Sequence, residues 1–381
     1  MRAILSASAL LAAFAATPGI AQTPVSLTPD QLLEPYYEAL RQTVTLPQAG
    51  PNASLPADTV LTRFAFGSCN HQSRSQHMWA QIAAKEPQMF MLIGDNVYGD
   101  TAWGGDAGLL SLREAYAEQA SRPEFAQFRA ATPMLTTWDD HDYGLNDSGG
   151  VFPFKGWAED IYEEFWDSPA DVRARPGIYE SRIYGVDGQR VQVLLLDTRY
   201  FRSPLIRMEY TPERPPLGVY VPHDVEGATI LGGAQWDWLE AELEKPADLR
   251  VVVSSIQILT EAHNYESWEN FPNEREKLLD MLGAREGSGL LLLSGDRHAG
   301  GIYTEERGGE TLWELTSSSL NLAFGNTPDN TAREPDPRRV TDFIAEENFG
   351  VVDIDWAASA LTLSLHGSKG EIRATRTVAW Q

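Results

Sequence analysis

Phe64-Ala65-Phe66-Gly67-Ser68-Cys69-Asn70 is an apolar run that ends abruptly on small and polar residues, and it reads as a strand leaving a sheet at its C-terminal end. Three later segments repeat the layout: Gly94-Asp95-Asn96-Val97-Tyr98, Trp138-Asp139-Asp140-His141-Asp142 and Ser294-Gly295-Asp296-Arg297-His298. Four strand ends bearing Cys, Asp, Tyr and His point to one metal site assembled at the C-terminal edges of a sheet. Cys69 is the only cysteine. In an exported chain a lone thiol has no internal disulfide partner, so it pairs between molecules, reacts or is occupied, and metal ligation would occupy it.

Outward from these strand ends, the pattern alternates strands and helices. Strands are expected at 60–67, 88–94, 133–138, 190–197, 250–256 and 289–294, and helices at 75–85, 109–120, 122–131, 157–167, 233–244 and 272–285. Runs such as Met89-Phe90-Met91-Leu92-Ile93 and Leu290-Leu291-Leu292-Leu293 suit strands covered on both faces. Asp187-Gly188 and Gly308-Gly309 signal hairpins, and 349–379 reads as strands with a turn near Ala357-Ala358. The order predicts two packed sheets flanked by helices in one catalytic domain, 60–381. Thr28-Pro29-Asp30-Gln31 is a helix start with a capping box. Leu32, Leu33, Tyr36, Tyr37 and Leu40 are expected on its buried face, and 22–59 makes this helix and a Pro-rich connector. The long excursions 199–230 and 320–342 are expected to be lids or substrate walls.

A net charge of -24 excludes nucleic-acid binding by charge, since phosphates would be repelled. Residues 1–21 read as a signal peptide: Arg2, then Ile4 to Ala16 as a short apolar region, then small residues up to a cleavage point near Ala21. That apolar part falls short of the roughly 20 residues a membrane span needs, so the mature chain is expected without a transmembrane helix, periplasmic or secreted.

The strand-end residues carry the chemistry. Asp95 can bridge two cations, and a Tyr98 phenolate favours a hard ion such as Fe³⁺, because ligation removes a proton whose ordinary pKa is about 10. Asp139, Asp140 and Asp142 crowd three carboxylates round His141, which calls for a cation and leaves His141 for a substrate oxygen. Asp296 and His298, two apart, can serve adjacent metals. Arg199 in Asp197-Thr198-Arg199 reads equally as a phosphate contact and as a buried Asp–Arg brace. Asn146 and Asp147 are further candidate oxygen ligands. There is no Gly-x-Ser-x-Gly elbow and no phosphate-binding P-loop. Cys69 as a nucleophile would have only His71 as a nearby base.

Gly-Ser-Cys, Gly-Asp-Asn-Val-Tyr, Trp-Asp-Asp-His-Asp, Leu-Asp-Thr-Arg-Tyr-Phe-Arg and Ser-Gly-Asp-Arg-His, in this order from about residue 60 to 300, resemble the PhoD-like alkaline phosphatases of the calcineurin-like metallophosphoesterases. The resemblance implies a four-layer αββα sandwich of two mixed sheets, and a phosphoester hydrolase using Fe³⁺ and one or two Ca²⁺, or other divalent cations. It implies Cys69, Asp95, Tyr98 and His298 as iron ligands, Asp95 bridging to calcium, and Asp140 and Asp296 on the calcium side. His141 and Arg199 are the catalytic candidates. A metal-activated hydroxide would attack the phosphorus of a small phosphoester substrate. A phosphodiesterase or phospholipase with the same site is the alternative, and a non-catalytic metal- or phosphate-binding protein a remoter one. The family's larger members carry an added N-terminal sandwich domain. The acidic motif here runs Asp142-Tyr143-Gly144-Leu145-Asn146-Asp147 instead of the longer Asn-rich form.

Overall fold

Side chains of the central strands alternate between two different cores. Phe64 and Phe66 face one core and Ala65 the other. The same division separates Met91 and Ile93 from Phe90 and Leu92, Val193 and Leu195 from Leu194, and Leu291 and Leu293 from Leu290 and Leu292. A strand with apolar residues on both faces must be covered on both. The computed structural model describes residues 27–209, 217–222, 225–284, 288–324 and 334–380. The expected signal peptide lies outside them, and no helix within them is long and apolar enough to cross a membrane.

The strands are β1 (Arg63–Gly67), β2 (Phe90–Ile93), β3 (Met134–Thr137), β4 (Glu180–Tyr184), β5 (Val191–Leu195), β6 (Ile206–Arg207), β7 (Tyr220–Val221), β8 (Leu249–Val253), β9 (Gly289–Ser294), β10 (Gly300–Arg307), β11 (Glu310–Ser317), β12 (Asn348–Asp355), β13 (Ala360–Gly367) and β14 (Ile372–Ala379). The α-helices are α1 (Pro29–Thr43), α2 (Met78–Ala83), α3 (Leu110–Ala120), α4 (Pro123–Ala131), α5 (Asp140–Tyr143), α6 (Lys155–Trp166), α7 (Ala170–Arg173), α8 (Gly232–Leu243) and α9 (Pro272–Gly283). One six-stranded sheet runs β14-β13-β12-β1-β2-β3 and the other β10-β11-β9-β8-β5-β4; β6 and β7 pair separately. Each sheet combines parallel and antiparallel neighbours. The middle core joins the sheets, a second packs Trp79, Phe128, Trp157 and Phe165 on the first sheet, and a third packs Trp236, Leu239, Leu278 and Leu282 on the second. This is the αββα sandwich. Each fully buried large apolar side chain in it contributes about 1.5–3 kcal/mol.

The expected strands and helices are found, most of them shorter by a few residues, and both hairpins form, at β4–β5 and β10–β11. The helix expected at 75–85 begins only at Met78, which leaves His71 in a turn. The capping box of α1 is present. Its buried face is narrower than expected: Tyr37 is buried and stacks on Trp157, whereas Leu32 and Tyr36 are exposed. The inward stripe runs through Leu33, Tyr37 and Leu40, one helical repeat apart, and Leu32 falls off it.

What matters for function is direction. β1, β2 and β3 are mutually parallel, and so are β5, β8, β9 and β11. Their C-terminal exits meet at one edge of the sandwich, where Thr137 Oγ1 donates to Leu196 O across the two sheets at 3.1 Å. Close approach there demands glycine. A Cβ on Gly94, whose φ is +114°, would lie 2.7 Å from Asp139 Cβ and 3.0 Å from Ser255 Cβ, and one on Gly295 would lie 2.6 Å from Ser68 Oγ.

Candidate metal centre

The turns after β1, β2 and β9 hold their polar residues in backbone conformations that ordinary residues avoid. Cys69 (φ 58°), Asp95 (49°), Asp296 (63°) and His298 (52°) are all left-handed, as is Asp147 (54°) after α5. Each costs about 1–3 kcal/mol, and such strain persists where surrounding structure imposes it, commonly at functional sites. Here the imposing structure is a set of cross-turn hydrogen bonds. Cys69 N donates to Gly94 O at 3.3 Å, Asn70 N to Asp95 O at 2.9 Å, Gly295 N to Ser255 O at 3.0 Å and His298 N to Ser318 Oγ at 2.7 Å.

Besides a grouping with Asp140 and His141, two donor groups share Asp95. Ligand atoms of Cys69, Asp95 and His298 lie within 4.8 Å of one another. Tyr98 joins them, its Oη 3.1 Å from Asp95 Oδ2 and 3.4 Å from His298 Nε2, while Cys69 Sγ is 3.4 Å from the same Asp95 oxygen. The second group is all oxygen: Asp95, Asp139, Asp140 and Asp296, again within 4.8 Å. Asp139 Oδ2 is buried without a hydrogen-bond partner among the described residues. The residues therefore group so as to hold a metal ion. The first set mixes thiolate, phenolate, imidazole and carboxylate donors; the second suits a hard cation.

The electrostatics agree. Burial, and then the neighbouring Asp140, Asp139 and Asp142, push Asp95 well above the carboxylate range against the pull of His141. Burial and Asp139 do the same to Asp296, and burial holds Asp139 at about 7 although Arg199 faces it. Burial and Asp95 raise Cys69 and Tyr98. Burial also opposes the Asp140 charge, but His141, Arg199 and the Asp147 N–H outweigh it and keep Asp140 ionised. Burial lowers His298 to about 4, leaving the neutral imidazole that a metal ligand requires. Arg199 and His141 offset part of the negative charge this desolvated cluster would carry, and a bound cation would offset more.

His141 sits beside the shared carboxylate. Its ring packs 4.3 Å from Tyr98, and Nδ1 is 2.6 Å from Asp100 Oδ1, which orients the imidazole. Burial disfavours its proton, but Asp140, Asp95 and Asp100 together raise its pKa. Asp142, expected to crowd this imidazole, instead caps α5: its oxygens accept from Asp139 N at 2.6 Å and Asn96 N at 3.2 Å. Backbone amides use it up, and Asp100 is the carboxylate that meets the ring.

Arg199 requires a correction. Asp197 does not pair with its guanidinium; Asp197 accepts the N–H groups of Arg199 and Tyr200 and the Trp138 Nε1–H. The guanidinium is fully buried and pairs with Asp139 and, at 2.6 Å, with Glu266. Arg202 Nε meets Glu266 from the other side at 2.8 Å. The geometry is that of the buried brace, with Asp139 and Glu266 as its carboxylates in place of Asp197. Glu266 and Asp100 escaped sequence reading, since neither follows a strand end in a marked motif. Glu266 also completes an acidic group with Asp140 and Asp147, and the exposed Asn146 donates its N–H to Asp100 Oδ2 at 2.9 Å. His71 stacks on Tyr98 at 5.1 Å and so lines the rim.

The fold and site define a metal-binding αββα sandwich. The sequence model of the PhoD-like phosphatase family matches residues 162–365. That is more than half of the chain, which belongs to this family. Alkaline phosphatase D of Bacillus subtilis (strain 168) is 24% identical over 350 residues, covering 81% of this chain and 56% of that protein. The chain thus spans about half the length of that curated relative. A solved structure described as PhoD superposes with a TM-score of 0.64 at 19% identity, covering 88% of this chain and 70% of that one, and shares the fold.

Proposed function

We propose that this chain is an exported, metal-dependent phosphoester hydrolase, acting on a small phosphomonoester. The observation that carries the reading is the pair of donor groups around Asp95 at an edge of the sandwich, in a chain of the PhoD-like phosphatase family. Cys69, Asp95, Tyr98 and His298 would hold Fe³⁺, and Asp95, Asp140 and Asp296 would hold Ca²⁺. Such cations supply Lewis-acid charge to phosphoryl oxygens and make water nucleophilic near neutral pH. His141 donates a proton to a phosphoryl oxygen or the leaving alcohol, oriented by Asp100. Arg199 and Arg202 keep Asp139 and Glu266 in place. Turnover of a chromogenic phosphomonoester beside its diester, with and without chelator and with metal analysis, tests this. Turnover of the diester alone would transfer the site to a phosphodiesterase, and turnover of neither would leave a binding protein.

Two results are expected alongside. Holo-protein should be coloured by charge transfer from Tyr98 and Cys69; Tyr98→Phe should remove or shift the band, and Cys69→Ser should lower metal content and activity together. A colourless, iron-free, fully active protein would refute the iron assignment. Chelation should lower the melting temperature and calcium should restore it, by about 2.7 kcal/mol at a hundredfold excess over Kd. Magnesium, which demands a tighter octahedral shell, should substitute poorly. A melting curve indifferent to both would mean that the buried acidic group holds no calcium.

A further inference from the structure

Beside the metal centre, the segment after β11 carries aromatic surface for which the proposed chemistry has no use. Leu320 N donates to Ser68 O at 2.9 Å, Asn321 N to Cys69 O at 3.4 Å and Phe324 N to His298 O at 3.3 Å, while Leu322 O contacts His298 Nδ1. The backbone of 320–324 is therefore tied to the same two turns that present Cys69 and His298. It sets the Phe324 ring 5.0 Å from the His298 ring, and Tyr265 stands 6.2 Å beyond Phe324. Both rings remain exposed, Phe324 by 45% and Tyr265 by 36%, in a protein whose other large aromatics mostly pack inward. They are also braced from behind. The buried Arg297 guanidinium lies 4.5 Å from the Tyr265 ring and 5.4 Å from Phe324, and Glu334 pairs with it. Cation–π contact with a neutralised, immobile guanidinium fixes the rings without closing their outer surfaces.

We propose that Phe324 and Tyr265 form a stacking platform for the leaving group, so that the preferred substrates are phosphoesters of alcohols bearing a planar aromatic group, such as nucleosides. This rests on the hydrolase reading. A phosphoryl group bound over the donor groups that contain Asp95 and His298 would have the Phe324 ring beside it, since that ring lies 5.0 Å from the His298 ring. Stacking of a base on an aromatic side chain contributes about 1–3 kcal/mol, which corresponds to roughly 5- to 150-fold in kcat/KM. The net charge of -24 argues for small nucleotides over polyanionic nucleic acid.

The test compares adenosine 5′-monophosphate with ribose 5-phosphate, and the O-methyl diesters of both, because within each pair the ester oxygen is the same ribose 5′-oxygen and the sugar alcohols differ in whether they carry the base. The holoenzyme is expected to favour the nucleotide at least fivefold, mainly through KM. Phe324→Ala and Tyr265→Ala should bring the ratio near one while leaving ribose 5-phosphate turnover within about twofold and metal content unchanged. Phe324→Trp should keep the preference, and Phe324→Leu, apolar but not planar, should lose most of it. Turnover of the ribose ester with no preference for the nucleotide overturns the platform and leaves the hydrolase standing, as does a preference that survives both alanine variants. A preference that survives Phe324→Leu overturns aromatic stacking in favour of a merely apolar wall. Failure to hydrolyse any of the four by a holoenzyme that turns over the chromogenic ester overturns the platform alone, and failure on that ester as well overturns the hydrolase reading with it.

Discussion

His141→Ala is expected to lower kcat by about 10²–10⁴-fold with its metal content unchanged, the usual scale for a lost proton-transfer or charge-stabilising group. The expectation follows from where the imidazole is held. Asp100 takes Nδ1, Tyr98 packs against the ring, and the acidic neighbours favour the protonated form. Asp95→Asn, Asp140→Asn and His298→Ala should behave differently, losing metal as well as rate, because each removes a proposed metal ligand, whereas His141, which also converges on Asp95 and Asp140, is held by Asp100. Asp100→Asn should move kcat in the same direction as His141→Ala, by less, since it frees the ring without deleting it. Metal analysis beside steady-state kinetics decides the matter. If His141→Ala loses as much metal as Asp95→Asn, His141 is a ligand and the assignment of roles fails.

Arg199→Met should destabilise the fold by about 3–5 kcal/mol, the scale for breaking a buried ion pair from one side. Arg199 and Asp139 are both fully buried. Glu266 would keep Arg202 at 2.8 Å, so Asp139 is the charge left stranded, with only Ser255 Oγ donating to it at 2.7 Å. Adding Asp139→Asn to Arg199→Met should therefore recover most of the loss, because no unpaired buried charge remains. Denaturant midpoints measured with chelator present, so that no cation substitutes for the guanidinium, provide the readout. An Arg199→Met midpoint equal to wild type would mean that Arg199 does not hold the acidic turn.

Much of this was legible in residue order. Continuous apolar runs marked the central strands, and the small and polar residues that end them marked the exits. The polar residues placed just past those exits, Cys69, Asp95, Tyr98, Asp140, Asp296 and His298, could be expected to gather at one place, because a parallel sheet brings its C-terminal ends to one edge. Local chemistry also located the capping box of α1 and both hairpins, which depend on residues within one turn of each other.

The sequence by itself determined the layer order of the sandwich, the strand ends and the residue types offered there, since these follow from short-range periodicity and turn chemistry. Only the tertiary structure decided which charge meets which. It turned Asp142 to backbone amides, gave Asp100 to His141, and sent Arg199 to Asp139 and Glu266 in place of its chain neighbour Asp197. It also set Phe324 against His298 from 26 positions further along the chain. The physical reason is range. A side chain's partner in a buried site is chosen by packing and desolvation across elements distant in sequence, and a one-dimensional pattern carries that information only where the backbone geometry is regular.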